Sequence, residues 1–484
     1  MAKREEQPAK ISYFYGPGWN DLNKFIKTFW NLNRDDIKAR QEKFEHGKGI
    51  MTLKGSAALV SCLFLILFGT VSFLLISGIV SAVLGVAFLI IYILIFMAWL
   101  IDRIALLRRH IFVACPNCKE KYLIPTYLCP TCGAKHSWLV PGKYGVLYRK
   151  CDCGTKIPSH FLTKRGNLEG ECPKCGFRLK GAESVPLYVP IIGGRSAGKT
   201  AYITAFAYQF IEDVAPRNGL TISHYNEDSE HFYENEIKTD YLSGTTRMTK
   251  TELDINKASS KAFSFFIESP KLKPKRLVQL YDVAGESFIE NTENEMQLQY
   301  RYCQGIIFIL DPLSIPTVRN YIDDSVDERD RNSVGTLDSE LVLDAFMNKL
   351  REITGKSSTE ALSTPIAVVI SKQDISILKQ FIGEDVIAET MDTHELEIDN
   401  YSDAEDAVCR KFLRECGLSN FVSNIEMKFK NNRFFTCSAI GHVRENGRYN
   451  PKGVLEPMEW IFSCSDNGMK NAWNEHKFGK LIDG

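Results

Sequence analysis

Residues Gly193, Gly194, Arg195, Ser196, Ala197, Gly198, Lys199 and Thr200 fill the pattern G-x-x-x-x-G-K-[ST]. The chemistry of that spacing is the holding of phosphate. Glycines let backbone N–H groups close around phosphate oxygens, Lys199 reaches the β- and γ-phosphates, and the Thr200 hydroxyl ligates Mg²⁺. Asp282-Val-Ala-Gly285-Glu286 supplies an acid that can hold Mg²⁺ through water and a glycine that lets the backbone come close to a γ-phosphate. Ser371-Lys372-Gln373-Asp374 supplies a carboxylate that can accept two hydrogen bonds from the N1–H and exocyclic amine of guanine, a pair adenine lacks. The Lys372 stem can cover a base face, and a backbone N–H at Ser438-Ala439 could meet guanine O6.

These groups need strands that end level with one another. Val185 to Ile192 is an apolar, β-branched run suited to a buried parallel strand, and Ala201 to Ile211 reads as an amphipathic helix whose N-terminus faces the phosphates. Leu277–Tyr281, Gly305–Leu310, Pro365–Ile370 and Arg433–Cys437 read as further strands, each running into one of the polar clusters or into Asp311-Pro312. Phe263–Ile267 is another strand. Long polar stretches at about 212–262 and 313–340 interrupt the alternation and are expected to carry switches or partner contacts. Pro457–Phe462 reads as a final amphipathic helix with Trp460 buried.

In this order the motifs resemble the translation-factor and Ras-like class of P-loop GTPases, over roughly residues 185–465. The short Asp-Val-Ala-Gly-Glu form and the large inserts look most like divergent prokaryotic GTPases, including the double-GTPase group, although one phosphate loop is present. The resemblance implies an α/β fold with a mostly parallel sheet, GTP and GDP as ligands, Mg²⁺ held by Thr200 and Asp282, and catalytic roles for Lys199 and Glu286. Three positions depart from the pattern. Ser371 stands where Asn or Thr is usual, which weakens the brace to the phosphate loop. Glu286 replaces the Gln that orients water; a carboxylate there repels the γ-phosphate, so slow hydrolysis is expected. Arg195 occupies a position that is often Gly and would crowd an incoming arginine finger. The Mg²⁺-sensing threonine of the first switch has four candidates, Thr245, Thr246, Thr249 and Thr251.

Eight of the 14 cysteines fall into close pairs. Cys115, Cys118, Cys129 and Cys132 are expected to form one Zn²⁺ site, and Cys151, Cys153, Cys172 and Cys175 a second. The Cys-Pro-x-Cys turns resemble zinc-ribbon knuckles. Disulfides are disfavoured on the cytoplasmic side predicted below, where thiols stay reduced, and redox catalysis is disfavoured because ribbon spacing explains all eight. With all ligands sulfur, His136 and His160 are expected to be ordinary surface residues. Cys62, Cys303, Cys409, Cys416, Cys437 and Cys464 are scattered and read as apolar fillers.

Gly55 to Ile101 contains no charged residue in 47 positions. A span needs about 20 residues, so the stretch reads as a two-helix transmembrane hairpin, Ser56–Ser77 and Ile79–Ile101, turning at Ser77-Gly78. It begins too late and runs too long for a secretory leader. Lys43, Lys48 and Lys54 before it and Arg103, Arg108 and Arg109 after it put both flanks, and the nucleotide domain, on the cytoplasmic side. Trp99 suits the interface, and Gly69 and Gly85 would let two helices approach. No ionisable residue inside argues for an ion path, so the segment reads as an anchor.

Four modules result: an N-terminal amphipathic segment 1–53 with Phe25, Ile26, Phe29 and Trp30 on one face, the hairpin 54–103, tandem zinc ribbons 110–184, and a P-loop domain 185–484. Lys and Arg total 59, as do Asp and Glu, so net charge supplies no general drive towards nucleic acid. Lys164, Arg165, Lys174, Arg178 and Lys180 make the second ribbon locally basic, which fits a protein or lipid contact and leaves nucleic acid open. The expected function is a membrane-anchored GTPase acting as a switch on a protein partner at its switches or ribbons. A nucleotide-binding scaffold with little turnover, or an ATPase, are the rivals.

Overall fold

The computed structural model describes residues 7–46, 53–108, 111, 113–115, 118, 121–181, 183–194, 196–243, 262–284, 303–320, 339–354, 360–393, 398, 400–441 and 449–474. The chain forms two compact units, Met1–Ile111 with Leu123–Ala182, and Phe112–Tyr122 with Glu183–Gly484.

In the first unit, α1 (Pro17–His46) is followed by α2 (Leu53–Phe64), a π-helical turn at Leu65–Gly69, and α3 (Thr70–Arg108). The hairpin expected at Ser77-Gly78 is absent, because α3 runs straight through it. Nothing there stops a helix. No proline intervenes, the Ser77 hydroxyl donates back to the Leu74 carbonyl at 3.1 Å, and a helical glycine costs only about 1 kcal/mol. Among the described residues one helix, Leu59–Arg108, is therefore long and apolar enough to cross a membrane, and most of its side chains are uncovered. The aromatic face of α1 packs on it. Phe29 and Trp30 lie 6.3 and 5.7 Å from the Phe73 ring, and Asn33 donates to the Thr70 hydroxyl.

β1 (Val113–Ala114) and β2 (Lys121–Tyr122) pair with each other. A four-stranded sheet of order β4-β3-β7-β8 follows, from β3 (Thr126–Leu128), β4 (Lys135–His136), β7 (Gly170–Glu171) and β8 (Arg178–Leu179). β5 (Tyr148–Lys150) and β6 (Lys156–Pro158) form a separate hairpin. Residues 7–12 run alongside it: Lys10 N–H donates to the Lys150 carbonyl and Asp152 N–H to the Pro8 carbonyl.

The second unit is built on a seven-stranded sheet of order β10-β11-β12-β9-β13-β14-β15. Its strands are β9 (Val185–Gly193), β10 (Thr221–His224), β11 (Ala262–Ser269), β12 (Leu272–Ala284), β13 (Ile306–Leu310), β14 (Ile366–Ile370) and β15 (Asn432–Thr436). The sheet is mixed. β12, β9, β13, β14 and β15 are parallel, while β11 runs antiparallel to both its neighbours, β12 and β10. Only Pro270 and Lys271 separate β11 from β12, too short a link for a parallel crossover. Two apolar layers, one on each face, hold the sheet. On one lies α4 (Lys199–Gln209), whose residues Ala201 to Ala207 are all buried, with Trp460 and Trp473. The other is covered by α5 (Ser339–Thr354), α6 (Ser376–Ile382), α8 (Tyr401–Glu415) and α9 (Ser419–Lys428), with α7 (Glu384–Asp392) between α6 and α8. Trp460 is buried in α10 (Glu456–Ser465), as the sequence predicts.

Candidate nucleotide and metal sites

The parallel strands end level. Gly193 is opposite Ala284 on one side and Ile309 on the other, Leu310 is opposite Ile370, and Ile370 is opposite Thr436. The clusters picked out by sequence therefore leave the sheet along one edge, at the carboxyl ends of the strands, where open α/β sheets hold ligands. The β9 and β14 ends lie two strand spacings apart, about 10 Å.

The phosphate loop leaves β9 at Gly193, the one residue type that fits there: a Cβ would fall 2.3 Å from the Ile309 carbonyl oxygen. Ser196 (φ 62°) and Gly198 (φ 92°) take the left-handed conformation that bends the chain into α4. Lys199 folds back over the loop and donates to the carbonyls of Gly193 (3.1 Å) and Gly194 (2.8 Å). Thr200 donates to Asp282 Oδ2 at 2.8 Å. A hydroxyl and a carboxylate touching at the end of β12 are the hard oxygen donors that Mg²⁺ prefers.

At the far end, Lys372 sits at φ 60° and its ammonium meets Asp311 Oδ2 at 3.0 Å. Asp311 is buried, and its other oxygen accepts from Leu313 N–H. The sequence marked Asp311 only as the end of a strand; an acid closing a buried apolar run before proline was the available signal. Asp374 accepts from the Ser438 hydroxyl at 2.5 Å, and Gly441 N–H donates to that hydroxyl at 2.8 Å. Gln373 N–H donates to the Cys437 carbonyl, so the β14 and β15 loops are tied together. Ala439, half-buried, follows Ser438 on the β15 loop. Ser371 donates to the Leu310 carbonyl at 3.2 Å and is buried, so its hydroxyl braces β13. Arg195, Gly285, Glu286 and the four candidate threonines lie outside the described residues.

Behind this edge Glu405 accepts from both the N–H (2.8 Å) and hydroxyl (2.9 Å) of Thr436, the last residue of β15. Burial pushes its carboxyl up to about 8, helped by the negative charge of Glu456 and opposed by the Thr436 bonds. Nothing in the sequence pattern singled it out.

The cysteine pairs are all used, but in different partnerships from those expected. Cys129, Cys132, Cys151 and Cys153 form one group with sulfurs within 4.8 Å of one another, and Cys115, Cys118, Cys172 and Cys175 form the other. The reason lies in β3 and β7. They are antiparallel, with Thr126 opposite Glu171, so the turn after Leu128 and the turn after Glu171 leave opposite ends of the sheet. Cys129 and Cys172 thus belong to different sites. In the first group Cys129–Cys153 and Cys132–Cys151 are each 3.7 Å apart. A tetrahedron with Zn–S bonds of about 2.3 Å has edges of about 3.8 Å, so the sulfurs fit Zn²⁺.

Three surface assignments need correction. His136 and His160 are buried, and His160 Nδ1 caps Leu162 N–H at 3.1 Å. Burial pushes the His136 imidazole down to about 4. Arg165 is fully buried on Asp102 and adds nothing to a basic surface. Of the scattered cysteines, Cys409 and Cys437 are buried and the other four partly so.

A family model described as Double-GTPase 2 matches residues 187–424. The stretch contains the phosphate loop, Asp282 and Asp374, and the match supports a P-loop GTPase. No curated protein matches. Among solved structures, the chain is similar to the Arl6 BBS3 small GTPase from Trypanosoma brucei with the nucleotide analogue GppNp bound, at 11% identity and a TM-score of 0.25, covering 59% of this chain and 99% of that one.

Proposed function

We propose that this chain is a GTP-binding switch, seated at a membrane, that hydrolyses GTP slowly and acts on a protein partner. One observation carries the reading: the phosphate loop and the Asp374 loop leave one sheet edge about 10 Å apart, with Asp282 beside the first and Ser438 beside the second.

Lys199 exchanges its two loop carbonyls for the β- and γ-phosphate oxygens, with the N-terminus of α4 facing the same charge. Thr200 and Asp282 are the residues that would hold Mg²⁺, which supplies charge to offset that of the phosphates. Asp374 accepts from guanine's N1–H and amine, aimed by Ser438. Asp311 holds Lys372 so that its stem lies along the base. Glu286 as the residue nearest the attacking water would repel the γ-phosphate, which makes intrinsic turnover slow. Loss of the γ-phosphate then releases the backbone at Gly285 and the first switch. Residues 185–484 act as the nucleotide module, and the two Cys₄ groups, loaded with Zn²⁺, stiffen the ribbons as a neck or docking platform. The uncovered apolar surface of α3 supports a lipid-facing role for that helix.

The test is nucleotide binding by the full chain. Lys199→Ala should abolish binding of a fluorescent GTP analogue, and Asp374→Ala should weaken GTP while leaving ATP competition unchanged. Equal loss of both nucleotides on Asp374→Ala would overturn guanine selection.

A further inference from the structure

The charge-free run ends at Ile101, and the next residue, Asp102, is fully buried. Its Oδ1 accepts from Phe161 N–H at 2.9 Å, and both carboxylate oxygens meet the Arg165 guanidinium at 3.2 Å. Arg165 donates in turn to the carbonyls of Leu139 (2.8 Å) and Ser159 (2.9 Å). A buried ion pair of this kind fixes geometry more than it adds stability. Here it pins two ribbon segments to the first turn of α3 beyond the apolar run.

What those segments turn outward is apolar. Trp138 is 64% exposed and Leu162 68% exposed, and Leu147, whose carbonyl accepts from Ser159 and Thr163, is exposed beside them. Trp138 adopts φ 54°, a left-handed conformation unfavourable for a bulky residue. The Arg103 guanidinium lies 5.8 Å from its ring centroid, so the indole meets a side chain from the α3 turn that follows Ile101. Ile101, Ile104 and Leu107 continue the apolar surface on α3, while exposed Arg108 and Lys164 and part-buried Arg103 supply positive charge around it. An outward tryptophan against Arg103, next to an apolar helix that ends in Arg108, has the aromatic and basic character of residues found at a headgroup layer.

We propose that Trp138 and Leu162 form a lipid-docking surface that inserts into the headgroup–acyl boundary of an anionic bilayer, so that the ribbon rests on the membrane. The proposal rests on the reading of α3 as a membrane helix. The continuity of the patch with that helix and its positive rim select a lipid surface over a protein partner.

The test uses the full chain in phosphatidylcholine–phosphatidylserine vesicles with bromine placed high on the acyl chains. Wild type should show a bromine-quenched component of tryptophan fluorescence that Trp138→Phe lacks. Leu162→Trp in the Trp138→Phe background should restore it. Zinc content checks that each variant is folded. A Trp138 component untouched by bromolipid but quenched by aqueous iodide would overturn the docking surface while leaving the helix in the membrane. Release of the wild-type chain from vesicles by alkaline carbonate would overturn both.

Discussion

Thr200 and Asp282 stand 82 positions apart and meet at 2.8 Å, hydroxyl to carboxylate, where α4 begins and β12 ends. Both are partly exposed, Thr200 in the first turn of α4 and Asp282 near the end of β12. If the pair is a metal seat, Thr200→Val should remove the Mg²⁺ dependence of nucleotide affinity. Losing one contact to a charged group is worth about 1.5–3 kcal/mol, or roughly tenfold to a hundredfold in affinity. Titration of a fluorescent GTP analogue with and without Mg²⁺ would show the variant behaving like metal-free wild type, and Thr200→Ser should keep the metal response.

Base choice should follow the chemistry of one side chain. Asp374→Asn turns one acceptor into a donor, which clashes with guanine's amine and suits the carbonyl that xanthine carries in its place. GTP affinity should fall by about tenfold to a hundredfold and xanthosine triphosphate should gain. Ser438→Ala, which removes the 2.5 Å brace on Asp374, should weaken GTP less and leave ATP unaffected. Competition binding measures all three.

The cysteine partnership can be read by counting metal. Cys132→Ser with Cys153→Ser touches a single group in the structure. Elemental analysis should find one zinc per chain in that double variant against two in wild type. Loss of both ions would mean that Cys132 and Cys153 serve different sites.

Glu405 sets a pH dependence of stability. Its carboxyl, normally near 4.5, is pushed up to about 8 by burial. The folded chain therefore holds that proton where the unfolded chain has lost it. By linkage, this contribution makes stability fall as pH rises from about 4.5 to about 8, and level off above. Glu405→Gln, which keeps an oxygen for Thr436, should flatten that slope, as judged from denaturation midpoints across the range. A parallel slope in both proteins would exclude Glu405 as its source.

The nucleotide edge was legible because its signals are local. A β-branched run followed by glycines, or by an acid, marks a strand end and the loop behind it, and β9, β13, β14 and β15 fall where those runs lie. What failed was partnership. Spacing groups Cys129 with Cys132 but cannot say which pair faces them; the antiparallel register of β3 and β7 decides that. Charge counting marked Arg165 as surface because its partner, Asp102, is 63 positions away. Hydropathy measured the length of the apolar run but not its bend, since Ser77-Gly78 is compatible with both turn and helix.

Seven successive residues of α4, Ala201 to Ala207, are enclosed on every side. A rod so tightly jacketed has no free flank along which to slide or roll, because any shift would open voids on one side and force overlaps on the other. It serves as a stator. What differs between the nucleoside di- and triphosphate states is then expected in the loops around the nucleotide, from the Thr200–Asp282 contact outward, and not along the helix axis.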